Sequence, residues 1–92
     1  LSSSADSFPG ADKFGPGARN EYVRRLGELL VGRGGGRFYA EGPDDSWGDS
    51  DHRATKAFQL AQGWAGTEAD GYPGKDTWEY LTRHRGNDIP PA

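Results

Sequence analysis

The chain has 92 residues, a formal net charge of −3, no cysteine and a hydrophobic fraction of 33%. That length allows one small domain with little stability to spare, because the share of surface buried on folding falls as chains shorten. Disulfides and thiolate metal sites are excluded, and acidic and basic residues are interleaved rather than gathered into the basic patch of a nucleic-acid binder.

Residues 1–7, LSSSADS, read as the end of a flexible linker, so the chain is expected to be a segment of a longer secreted protein. FPGADKFGPG follows, where Pro9 and Pro16 forbid regular helix and Phe8 and Phe14 are expected to cover the core from an ordered arm. Asn20 is a good N-cap, and Tyr22, Val23, Leu26, Leu29 and Leu30 form one apolar stripe behind it, which predicts a first helix ending near Gly32. GRGGGR is then expected to be loop. Phe38 and Tyr39 can begin a short extended piece before the turn at Gly42, Pro43, Asp44 and Asp45.

Ala54, Ala57, Phe58 and Ala61 recur at helical spacing, with Asp49 or Ser50 as cap and with Gln59 and Gln62 on the polar side. The pattern stops at Gly63, and Gly71, Pro73 and Gly74 precede a third amphipathic run carrying Trp78 and Leu81. A loop–helix unit occurs twice: Gly48 leads to Asp51, Ala54 and Phe58, and Gly74 leads to Thr77, Trp78 and Leu81. The expected fold is therefore all-α, a small three-helix bundle with an internal repeat and glycine- and aromatic-rich loops. Its domain spans 8–84, and 85–92 form a flexible tail. No apolar run approaches the roughly 20 residues that cross a bilayer, so a membrane is not an expected partner.

The candidate site residues are those whose chemistry suits a sugar. Trp47 and Trp64 lie on loops beside glycine, where an indole either caps the bundle or offers a flat platform to the C–H face of a sugar ring. Tyr39 and Tyr72 can pack and hydrogen-bond, or shield the bundle's edge. Asp70 opens an Asp-Gly turn whose carboxylate bonds its own backbone or faces a ligand. Gln62 is either solvated or bound to an N-acetyl group. Phe58 and Trp78 belong to the core. His52 and His84 lack a carboxylate at ligand spacing, so no metal or cofactor is expected. The acidic group Asp44, Asp45, Asp49 and Asp51 lacks the calcium-loop pattern, and a chain this small can hardly desolvate a catalytic carboxyl pair.

Taken together, Val23 and Leu26, then Gly48, Ala54, Phe58 and Gln59, then Gly63, Trp64, Asp70, Gly71, Gly74, Thr77, Trp78 and Leu81 resemble, in order and spacing, the peptidoglycan-binding domain at the ends of bacterial cell-wall hydrolases. The match covers roughly residues 17 to 82. Asp51 stands where that family usually has Thr, Gly27 where it has Gln, and GPDDSWG replaces its first Asp-Gly turn, as in an actinobacterial-type variant. The resemblance implies a monomeric, non-catalytic, extracellular and cell-wall-associated module. It would hold a covalently linked hydrolase on peptidoglycan or another wall polysaccharide, without nucleic acid. Alternatives are another glycan such as chitin or a β-1,3-glucan, bound through the Trp47 loop, and a prodomain-like module packing on its own catalytic domain.

Overall fold

In a computed structural model, residues 8–90 are described; the linker reading of 1–7 and the last two residues of the expected tail lie outside them. Three α-helices, α1 (Glu21–Leu30), α2 (Asp49–Ala61) and α3 (Lys75–Thr82), form an all-α bundle in which α1 packs against both others. Among the described residues there is no strand, and a single antiparallel bridge joins Arg19 to Ser46.

The apolar periods explain the packing. Val23, Leu26 and Leu30 of α1 are buried against Ala54 and Phe58 of α2 and Trp78 and Leu81 of α3, with Tyr22 and Leu29 half-buried at the edges of the stripe. Asn20 caps α1: its Oδ1 accepts from the N–H groups of Tyr22 (2.9 Å) and Val23 (3.2 Å). Its Nδ2 donates to the Lys13 carbonyl and so ties down the N-terminal arm. That arm makes one 3-10 turn, Ala11–Lys13. It lays Phe14 on Trp78 (ring centroids 5.7 Å apart) and stacks Phe8 on Phe14.

The two loop–helix units start alike. Gly48 and Gly74 are both extended N-cap residues, and the side chain three positions on, Asp51 or Thr77, is buried. At α2 the cap is therefore neither Asp49 nor Ser50. The Asp51 carboxylate closes back on the Gly48 N–H (2.9 Å), one half of a capping box.

Two expectations are corrected. GRGGGR leaves the helix near Gly32 as expected but is not an open loop: the chain kinks at Arg33 and Gly34, whose backbone angles are not helical, and then makes a 3-10 turn at Gly36–Phe38. Residues 85–90 are not a loose tail either, because Ile89 is buried in the core and its N–H donates to the Arg33 carbonyl (2.8 Å). One contact explains both. A Cβ at Gly34 would stand 2.8 Å from the Ile89 carbonyl oxygen, and one at Gly35 3.1 Å from Ile89 Cδ1, so the glycines are where the C-terminal segment crosses the bundle.

Candidate functional site

The site is built by one buried amide. Gln59, expected on the polar side of α2, is 1% exposed. Its Oε1 accepts from the Gly71 N–H (2.8 Å), and its Nε2 donates to the Tyr72 carbonyl (3.0 Å) and to Thr77 Oγ1 (3.1 Å). Both faces of the amide are satisfied, as burial requires, and α2, the 70–74 turn and α3 are locked to one another.

Within that turn Asp70 Oδ1 accepts from the Tyr72 N–H (2.9 Å), the local bond that an Asp-Gly turn makes. Gly71 is required twice over: its φ is +87°, and a Cβ there would collide with the His52 imidazole. His52 Nε2–H donates to the Asp70 carbonyl (3.0 Å), and a carbonyl only accepts, so this nitrogen carries the proton. The turn thereby fixes Tyr72. Its ring stacks on Trp47 (centroids 5.6 Å apart, 21° between planes) and leans on His52 (4.8 Å), while 41% of the residue stays exposed.

Of the six candidates, the structure brings Trp64, Asp70 and Tyr72 together on the wall of one groove of about 360 Å³, with Gln59 at its base and the start of α3 along its side. Trp47 joins Tyr72 and His52 in a neighbouring cleft of about 400 Å³. Trp64 is half-buried, braced edge-on by Tyr80 (5.0 Å). Neither indole N–H of Trp47 or Trp64, nor the Tyr72 hydroxyl, has a partner among the described residues, so all three can serve an outside acceptor or donor.

The other two candidates are taken up inside the fold. Gln62 donates to the Phe58 carbonyl (3.0 Å) and the Asn87 carbonyl (2.6 Å) and accepts from the Asn87 N–H (2.6 Å), which makes it a clamp on the C-terminal segment. Tyr39 is buried and its hydroxyl donates to Asp51 Oδ1 (2.9 Å). Burial, then the Asp51 charge, push the Tyr39 hydroxyl far above its usual range, so it stays a donor. The Asp51 carboxyl is itself raised, first by burial, with the Asp44 charge adding to it and the bonds from Gly48 and Tyr39 opposing.

Sequence reasoning missed Gln59, His52 and Lys75 as neighbours of the site. Only Gln59 carried a signal, the Phe-Gln pair of the resemblance. Among the described residues no group of three or more His, Asp or Glu converges as a metal site requires. No helix among them is long and apolar enough to cross a membrane. No protein-family model matches the chain, and no curated protein or solved structure matches it.

Proposed function

We propose that this domain is a non-catalytic module that holds a covalently linked, secreted hydrolase on the bacterial cell wall, with peptidoglycan as its ligand. The observation that carries the reading is the groove in which Trp64, Tyr72 and Asp70 converge, because it offers aromatic surface beside an indole N–H and a phenol that have no partner among the described residues. Concave, largely apolar surface with a few directed polar groups is what sugar recognition needs. The resemblance of the Phe58-Gln59, Asp70-Gly71 and Thr77-Trp78 motifs to the peptidoglycan-binding domain supports the same reading. Gln59 adds to it, since a groove held by a satisfied buried amide is preformed and loses little entropy on binding.

A shallow groove of this size implies micromolar to millimolar affinity, on the order of 4–8 kcal/mol, with the high local concentration of sites on the wall supplying retention. The test is retention of the purified domain by insoluble peptidoglycan, chitin and β-1,3-glucan. Peptidoglycan retains it, Trp64→Ala weakens retention about tenfold, which corresponds to about 1.4 kcal/mol, and Tyr72→Phe weakens it several-fold while leaving the melting temperature unchanged. Retention by chitin or β-1,3-glucan alone moves the ligand to another glycan, a reading favoured by the second cleft beside Trp47. Retention by none of the three sinks the proposal.

A further inference from the structure

Tyr72 belongs to both clefts: the groove with Trp64 on one side and the cleft with Trp47 and His52 on the other. The N-terminal arm borders both, in the same order. Ala11 lines the groove, Gly15 passes under the Tyr72 ring, where a Cβ would meet Tyr72 Cδ1 and Cε1 at 3.8 Å, and Pro16 and Gly17 line the cleft. The arm is itself anchored, by the Asn20 side chain on the Lys13 carbonyl and by Phe14 on Trp78. From these contacts we infer that the two clefts are successive subsites of one track, crossed at Tyr72, that takes the interior of an extended glycan chain rather than a chain end or a single disaccharide.

This rests on the glycan-binding reading above and adds to it which form of glycan is bound. Ala11 and Gly17 stand at the two ends of a short arm that turns once at Ala11–Lys13, so the two clefts adjoin on either side of Tyr72 and one chain of sugars can meet both. Trp64 and Trp47 then serve different parts of one ligand. Each indole is half-buried, with no partner for its N–H among the described residues, so each acts as a separate contact along the chain. A disaccharide fills one side of Tyr72 only; a longer oligomer reaches both.

The experiment titrates the domain with β-1,4-linked N-acetylhexosamine oligomers, from dimer through tetramer to hexamer, and follows affinity together with the indole N–H and imidazole NMR signals. The track predicts that affinity rises more than tenfold from dimer to hexamer, beyond the several-fold that extra registers on a longer chain would give. It also predicts that the hexamer shifts the Trp64, Trp47 and His52 signals, while the dimer shifts those of one side alone. Trp47→Ala lowers hexamer affinity by a larger factor than dimer affinity, so the gain in affinity from dimer to hexamer shrinks several-fold. Because Trp47 also packs on Phe14 (6.4 Å) and its loss can loosen the fold, the NMR titration of the unaltered chain stands as an independent arm. Binding without length dependence, or a hexamer that leaves Trp47 and His52 unshifted, overturns the track and leaves the glycan-binding reading intact. No binding by any oligomer, together with no retention by the insoluble polymers, overturns both.

Discussion

Gly27 sits in the middle of α1, where alanine is ordinarily better by about 1 kcal/mol. Its place is set by shape: a Cβ there would stand 2.5 Å from Pro43 Cβ, nearer than two such carbons ever approach. Pro43 belongs to the GPDDSWG stretch, so the missing side chain at 27 and the turn at 42–48 are halves of one contact. The loop cannot easily back away. Asn20 N–H bonds the Asp45 carbonyl (3.0 Å), Trp47 N–H bonds the Ala18 carbonyl (2.9 Å), and the pyrrolidine ring has no rotamer to turn to. Overpacking of this kind costs about 1–3 kcal/mol and outweighs the gain in helix propensity. Gly27→Ala is thus expected to lower the unfolding free energy by about 1–2 kcal/mol in a denaturant titration. In a Pro43→Gly background the same substitution becomes neutral or stabilising, which a double-mutant cycle reads directly. A Gly27→Ala chain more stable than its parent would show that the contact does not hold the loop.

The starts of α2 and α3 show how one element design accepts two chemistries. Each helix has a glycine N-cap and a polar side chain buried three positions on. Thr77 accepts from Gln59 across to the neighbouring helix, and Asp51 bonds its own cap and Tyr39. Thr77 is neutral, but Asp51, 3% exposed, carries an ionisable group whose burial raises it above 3.8. The folded chain thus binds this proton more tightly than the unfolded chain does. The stability that protonation brings is present in full below 3.8 and is lost as the pH climbs through the raised folded value. Asp51→Asn removes that titration. Its amide oxygen still accepts the Gly48 N–H, and its NH₂ turns to the Tyr39 oxygen. The free-energy difference between variant and parent, followed by thermal or denaturant unfolding from below pH 3.8 to neutrality, should shift in the variant's favour as the pH rises. A flat difference would mean that Asp51 is as easily ionised in the fold as out of it. The repeat itself was legible in the sequence because glycine spacing and apolar period are local signals. Which residue capped α2 was not, since Asp49, Ser50 and Asp51 all have capping chemistry and only the backbone path selects among them.

At the scale of the molecule, what the sequence concealed is what joins its distant ends. Val23, Leu26, Phe58, Trp78 and Leu81 announce themselves by period, and Trp64, Asp70 and Tyr72 by turn chemistry. Gln59 hides because a polar residue is read as solvated, and Ile89 because one apolar residue between Asp88 and Pro90 has no period. Yet Ile89 belongs to the core, and Arg33 depends on its segment. The Arg33 guanidinium is 3% exposed and stacks over Phe58 at 5.0 Å. It donates to the carbonyls of Arg85 (2.8 Å), Gly86 (3.2 Å) and Tyr80 (3.3 Å), and Nε bonds Asp88 (2.6 Å). The short ion pair is not the main term. Asp88 is 64% exposed, and a pair with one side in water contributes about 0–1 kcal/mol, so Asp88→Asn should barely move the melting temperature. Ending the chain at His84 removes far more: Ile89, whose burial contributes about 1.5–3 kcal/mol, and two of the three carbonyls that satisfy the buried cation. Because Arg33 would regain some water through the opening, a total loss of about 3–4 kcal/mol is expected rather than the 3–5 kcal/mol for the charge alone on top of the Ile89 contribution. For a domain of this size each kcal/mol moves the midpoint by about 4–8 °C, so the shortened chain should melt more than about 10 °C below its parent while Asp88→Asn stays within a few degrees of it. Equal melting temperatures for the full and shortened chains would return 85–90 to the status of a tail and leave the glycines at 34 and 35 without a reason.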